Sequence, residues 1–303
     1  MTLRPGELSE LIEIISASAT RGQPLRVIGR GTWLGGGASV RADAEPLHLD
    51  TFSGIIEYEP GDLTITVGAA TTIAELDAVT APHNQWCPLS PWGGDAGSVG
   101  ATIATASPGP FARALGMPRD LVLGLECVDG TGKVLRPGGK VVKNVAGFDL
   151  TRLMTGAWGT LGVITRASLR LRAKPSVDET WAVPFDADDA SLPERIGAFA
   201  RGRTPPMACE TLGTPLASLF GLAARKHLLV RLGGNAAFVA AARAAVATLG
   251  QATLADARIW RALRETPRAV AVRPAMSSGV RALNERIKRA FDPADILNPG
   301  IMG

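Results

Sequence analysis

The chain has 303 residues, 46% apolar and 20% charged, enough for a sizeable core in one large domain or two ordinary ones. Its formal charge of +4, from 32 basic and 28 acidic residues, is too small and too scattered to support nucleic-acid or membrane binding. Three cysteines (Cys87, Cys127, Cys209) and three histidines (His48, His83, His227) are isolated, without CxxC, HxH or HExxH, so no metal or iron–sulfur ligand set is expected.

Residues 7–20 read as a helix, with Leu8, Leu11, Ile12 and Ile15 on one face and Gly22 as its stop. This N-terminus lacks the basic region, apolar core and small-residue cleavage site of a signal peptide. No apolar run reaches the roughly 18–20 residues of a bilayer span. The expectation is a cytoplasmic protein, held at the inner face of the membrane only through partners.

Leu25 to Ile28 reads as a short strand that runs into Gly29-Arg30-Gly31-Thr32-Trp33-Leu34-Gly35-Gly36-Gly37. A strand feeding a glycine loop suits a phosphate cradle, although neither a Walker A nor a Rossmann sequence is present. A long hairpin loop is the other reading. Strand-like runs follow at 47–49, 55–59 and 63–67. A short helix at 71–79 opens on a Thr cap with Glu at capping-box spacing.

The loop 84–94 (NQWCPLSPWGG) leads into Asp95 to Pro110, DAGSVGATIATASPGP. Gly97 and Gly100 carry no Cβ to hold a ligand away, and Ser98 to Ala106 has no long side chain. A helical turn here is expected to aim its N–H groups at an anion. A tightly packed helix under a glycine turn is the alternative.

Asp120 to Asp129 reads as a strand, turned by Gly130-Thr131-Gly132 and returning from Lys133 to Leu135. Lys143 to Asp149 leads into a short helix, LTRLMTG. Trp158 then opens a long strand through Leu171, in which Gly159 and Gly162 mark either close backbone approach or a bulge. Beyond Lys174-Pro175 the glycine loops thin out into a small α/β module, with a strand at 227–232 and helices at 236–249 and 256–265. A last helix at 279–291 carries Val280, Leu283, Ile287 and Phe291 in one row. The tail is FDPADILNPG (291–300).

Four segments stand in order: GRGTWLGG (29–36), DAGSVGATIATASPGP (95–110), VVKNVAGFDLTRLMTGAWGTLGVIT (141–165) and FDPADILNPG (291–300). Together they resemble the vanillyl-alcohol-oxidase/PCMH superfamily of FAD-binding proteins. KNVAGFDLTRLMTGAWGTLGVIT looks most like the FAD-binding accessory subunit, the E subunit, of bacterial glycolate oxidase. The resemblance implies an α+β fold: a PCMH-type FAD-binding domain of two mixed α/β subdomains over 1–175, a small, shortened α/β cap over 176–275, and a C-terminal helix and tail over 276–303 returning to the FAD domain.

By the same resemblance, Gly29, Arg30, Gly31 and Thr32, with Trp33 beside them, would hold the pyrophosphate. Gly97, Ser98, Val99, Gly100 and Ala101 would share that role, followed by Ile103 and Ala104. Pro91 and Trp92 would precede the second loop beside the flavin. Gly159, Gly162, Val163 and Ile164 would line the adenine and ribose side, and Asn298 would approach the flavin end. No His or Cys in either glycine loop offers an attachment atom, although Cys87 lies nearby, so non-covalent FAD is expected. Arg113, Lys143 and Asn144 are candidates to place a donor or a positive charge near the flavin.

Three functions follow. The first is an accessory subunit of a glycolate oxidase-type complex oxidising a small 2-hydroxy acid to the 2-oxo acid, with a catalytic flavin subunit and an iron–sulfur subunit as partners. The second is a free-standing FAD dehydrogenase for a small hydroxy acid, which needs a general base and a carboxylate clamp. The third is a scaffold that has lost FAD. No constellation of catalytic residues is visible, and the lone histidines argue against an independent substrate pocket.

Overall fold

The computed structural model describes residues 2–139, 149–186, 188–266 and 277–302. It is a mixed α/β structure with several sheets. Its contacts divide it into two units: Met1–Pro108, Met117–Arg172 and Pro267–Gly303 form one, Gly109–Gly116 and Ala173–Thr266 the other.

The first unit begins with helix Leu8–Arg21, whose apolar row buries Leu11 and Ile15. Gly22 ends it at φ +64°, a left-handed conformation that costs a residue without Cβ little. Strand Leu25–Ile28 pairs in parallel with Glu45–His48. A parallel pair needs a crossover, so the glycine loop after Ile28 is not a hairpin. The tail adds itself to the same layer: Leu25 N–H donates to the Ile296 carbonyl (2.7 Å), and Asn298 N–H donates to the Leu25 carbonyl (2.9 Å). Leu11, Ile15, Leu25, Leu47, Ile296 and Leu297 share one core.

A second layer in this unit is a five-stranded antiparallel sheet. Its spatial order is Ile55–Glu59, Thr64–Gly68, Val163–Arg170, Val122–Val128, Val134–Leu135. Its core joins Ile65, Val67, Leu125, Ile164 and Leu169 to residues of helices Ile73–Thr80 and Val99–Thr105. The first helix starts on a capping box. Thr72 Oγ1 accepts from Glu75 N–H (3.1 Å), and a Glu75 carboxylate oxygen accepts from Thr72 N–H (2.7 Å). That backbone hydrogen bond holds the Glu75 carboxyl below its ordinary pKa.

Two expected strands start later than the sequence pattern suggests. Pro118–Leu121 is a helical turn, because Pro118 presets its first φ and Asp120 accepts from Met117 N–H (3.0 Å); the strand opens at Val122. Trp158 and Gly159 both have positive φ, +53° and +69°, which no strand accommodates. The second strand therefore opens at Val163, and Gly159 and Gly162 lie in the turn before it.

The second unit is a four-stranded antiparallel sheet in the order Ala208–Leu212, Lys226–Gly234, Val177–Phe185, Thr253–Ala255. Val183, Leu228 and Val230 from the sheet pack with Phe199, Val239 and Val246 from helices Leu192–Ala200 and Ala236–Ala247. Segment 109–116 groups here through Phe111, which lies 5.1 Å beneath the Arg231 guanidinium; Arg231 is also bidentate to Asp178. The abrupt stretch after Glu265 lies mostly outside the described residues.

Cys87 and Cys127 are buried at 2% and 0% exposure, and burial pushes each thiol up to about 12. A thiol raised in the folded state contributes stability that is complete below the unfolded pKa, about 8.5, and is lost as pH rises toward 12. We predict that at pH 8 a water-soluble disulfide reagent leaves both thiols unlabelled in the native protein and labels them in urea. The urea midpoint should fall as pH is raised through 9 and 10.

Candidate functional site

A cleft partly open to solvent lies wholly within the first unit. Four segments line it: the end of strand Leu25–Ile28 with its glycine loop, helix Val99–Thr105 with its cap, the turn before Val163, and the tail at Asn298 and Ile301.

The glycine loop reaches the helix because Gly29 has no side chain. A Cβ on Gly29 would lie 2.7 Å from Ser98 Oγ. Ser98 caps the helix, accepting from Ala101 N–H (3.2 Å). Gly100 is small for a different reason: its Cβ would fall 2.7 Å from Ala69 Cβ and 2.9 Å from the Ala69 carbonyl oxygen.

The expectation that this helical turn aims its amides at an anion does not survive. Val99 N–H donates to Thr71 O (2.9 Å), Gly100 N–H to Ala69 O (2.7 Å), and Thr102 N–H to Ser98 O (3.0 Å). With Ala101 N–H held by Ser98 Oγ, the first-turn donors are already engaged. The glycine loop differs. Among the described residues, the amides of Arg30, Gly31 and Thr32 donate to no protein acceptor. Gly31 holds φ +74°, so the loop can turn its N–H groups together.

The far wall depends on Trp158. Its N–H donates to the Ala104 carbonyl (2.7 Å), and its own carbonyl accepts from Asn298 Nδ2 (2.8 Å). Its ring meets Trp33 edge to face, with centroids 5.9 Å apart. Asn298 Oδ1 in turn accepts from Val27 N–H (2.7 Å), so one buried side-chain amide joins strand, turn and tail. A Cβ on Gly159 would lie 2.8 Å from Asn298 Nδ2.

Lys288 and Asp292 set the tail that carries Asn298. The Asp292 carboxylate is buried and accepts from Ile296 N–H (3.1 Å), Leu297 N–H (2.8 Å) and Lys288 Nζ. Lys288 Nζ also donates to the carbonyls of Thr160 (2.9 Å) and Leu297 (3.0 Å).

Of the residues expected at the site, Gly29, Gly31, Thr32, Trp33, Ser98, Gly100, Ala101, Ala104, Gly159, Gly162, Val163, Ile164 and Asn298 line this cleft. Val99 and Ile103 are fully buried in the core beneath it. Gly97 is buried beside Thr32, its Cβ position 3.5 Å from Thr32 Oγ1. Arg30 turns away: its Nε donates to Ala70 O (2.8 Å), and Nη2 lies 3.6 Å from Glu75. Pro91 and Trp92 are not among the lining residues, and exposed Arg113 belongs to the second unit. Lys143 and Asn144 lie outside the described residues. Sequence reasoning missed Arg26, Val27, Ile28, Ala69, Ala70 and Trp158. The pair Ala69-Ala70, small residues just past a strand, is the signal that could have drawn attention to that wall.

The cleft combines unbonded amides, one guanidinium (Arg26), two tryptophans and the apolar side chains of Ile28, Val163 and Ile164. Free amides and a cation suit phosphates, and the aromatic and apolar walls suit rings, so the residues fit FAD. Among the described residues no cluster of His, Cys, Asp and Glu could hold a metal ion. No described helix is long and apolar enough to cross a membrane.

Comparison with known proteins agrees. Residues 1–138 match the family described as FAD binding domain. The chain is 32% identical over 222 residues to glycolate oxidase subunit GlcE of Escherichia coli, covering 73% of this chain and 58% of that protein. It is 29% identical to glycolate oxidase subunit GlcD of Bacillus subtilis, with 70% and 45% covered, and 31% identical to D-lactate dehydrogenase of Archaeoglobus fulgidus, with 69% and 46% covered. The chain therefore spans about half the length of these relatives. In fold it is similar to alkyldihydroxyacetonephosphate synthase (TM-score 0.70, 15% identity, 86% of this chain and 55% of that one). It is also similar to p-cresol methylhydroxylase (TM-score 0.67, 18% identity, 84% and 57%).

Ala101 lines the cleft from a partly exposed position on the helix. Ala101→Phe should weaken FAD binding by about tenfold or more while leaving the unfolding midpoint near that of the parent; flavin titration and circular dichroism check both halves. Asn298→Leu leaves the Val27 N–H and the Trp158 carbonyl without their partner. It should destabilise the chain by about 2 kcal/mol in urea unfolding.

Proposed function

We propose that this chain, whose residues 1–138 match an FAD binding domain, is one of the PCMH-type FAD-binding proteins and the FAD-binding subunit of a glycolate oxidase-type complex. FAD is its cofactor. The complex oxidises a small 2-hydroxy acid to the 2-oxo acid, and two electrons leave through partner subunits: a catalytic flavin subunit and an iron–sulfur subunit. The similarity to GlcE carries this reading over a free-standing dehydrogenase such as the D-lactate enzyme.

FAD supplies the redox chemistry when bound, accepting two electrons from a hydroxy acid or a neighbouring carrier. The chain's own residues bind and orient. Arg30, Gly31 and Thr32 offer their amides, and Gly29 lets the loop approach Ser98. Trp33 and Trp158 shield the cleft from water, and Asn298 locks their two segments together. No carboxylate or histidine is among the described residues that line the cleft, so these residues move no proton there. That supports an assisting role over a self-sufficient catalyst.

The attachment we propose is non-covalent. Cys87 does not line the cleft; it is buried, and its thiol is held neutral at physiological pH by that burial. We propose the fold divisions 1–175, 176–275 and 276–303 as FAD domain, cap and returning tail, and a location at the cytoplasmic face of the membrane through partners.

The test is the visible spectrum of the purified chain before and after acid precipitation, followed by dye reduction with glycolate or D-lactate. Flavin bands that pass to the supernatant, with turnover only after co-expression with partner subunits, are expected. Turnover by the chain alone would favour the free-standing dehydrogenase. A colourless chain that takes up no FAD, alone or in complex, would overturn the cofactor assignment.

A further inference from the structure

One formal charge lines the cleft among the described residues, the guanidinium of Arg26. Arg26 is the second residue of strand Leu25–Ile28, just before the glycine loop. Its Nη2 donates to the carbonyl of Leu34 (2.6 Å), eight residues on. The side chain thus ties the stem of the loop to Leu34, and between those two points lie the unbonded amides of Arg30, Gly31 and Thr32, with Arg26, Gly31 and Thr32 lining the same cleft.

Arg30, inside the loop, is among the residues that the family resemblance would place at the pyrophosphate. Its charge is directed elsewhere, toward the Ala70 carbonyl and the Glu75 carboxylate. Arg26 forms no ion pair with any described carboxylate. A guanidinium carries five N–H donors in a planar fork that matches phosphate oxygens, and the contact to Leu34 uses one of them.

We infer that Arg26 is the electrostatic anchor for the FAD pyrophosphate, and that its contact with Leu34 holds the glycine loop in the shape that presents its amides. This rests on the FAD reading above. The residue has two coupled tasks. It shapes the loop through a neutral carbonyl, and it supplies the positive charge that the engaged amides of helix Val99–Thr105 do not.

The experiment titrates FAD into the full chain stripped of flavin, for the parent, Arg26→Gln and Arg26→Lys, at several salt concentrations. Flavin fluorescence reports binding, and circular dichroism reports folding. In the parent, affinity should fall with rising salt, since screening weakens a charge–phosphate contact. Arg26→Gln should bind on the order of tenfold more weakly, with a flatter salt dependence. Arg26→Lys should restore the salt dependence and part of the affinity, because it keeps the charge without the fork. It also carries the test if Arg26→Gln fails to fold.

Unchanged affinity in Arg26→Gln would overturn the inference. So would weaker binding with the parent's salt dependence, which would make Arg26 a loop brace only. A parent chain that binds no FAD would overturn the cofactor reading and the inference together, an outcome distinct from either of these.

Discussion

A buried carboxylate fixes the geometry of the whole cleft. Asp292 has 1% of its surface exposed, and a charge so placed must be met by donors. It is met by two backbone amides of the tail and by Lys288, whose ammonium also holds the carbonyls of Thr160 and Leu297. Removing one partner from such a pair costs about 3–5 kcal/mol, a large share of a domain's stability. The consequence is positional. With residues 296 and 297 fixed, Asn298 falls where its amide can close on Val27 and Trp158. The strand, the turn and the helix that line the cleft are thus tied to one another by groups remote in sequence.

The cleft built this way is nearly uncharged, and its small residues serve two purposes. Gly100 and Ala69 bring helix and strand end together, whereas Gly29 and Gly31 let a loop approach and turn. Helix amides that sequence reasoning would offer to an anion are used to weld the helix to the residues after strand Thr64–Gly68. Binding capacity is left to the loop. This division suits a protein whose cofactor carries the chemistry and whose polypeptide provides shape.

Local signals were legible in the sequence. The apolar row of Leu8, Leu11 and Ile15, the Gly22 stop and the Thr72–Glu75 capping box all depend on neighbours within a few residues. The order of glycine loops, short helix and tail carried the resemblance to a PCMH-type FAD-binding fold, and the structural likeness agrees with it. What was not legible depends on contacts between distant residues. Nothing near Trp158 announces its positive φ, because the turn is held by Asn298 and the Ala104 carbonyl. Nothing near Gly109–Gly116 announces that it groups with the second unit, because Arg231 is what meets Phe111. Arg26 looks like an ordinary polar residue in a strand until its reach to Leu34 is seen.

The pairing of Leu25 with Leu297 has a consequence for how the protein is made. Chains fold from the N-terminus as they leave the ribosome, at about 5–20 residues per second. Strand Leu25–Ile28 emerges early, yet the segment that accepts its first amide and caps Val27 is synthesised some 270 residues later. Until then that edge is open, and the cleft lacks the wall that Asn298 and Ile301 supply. A nascent chain arrested before Asp292 would therefore display a bare strand edge at Leu25 and Val27 instead of a completed cleft.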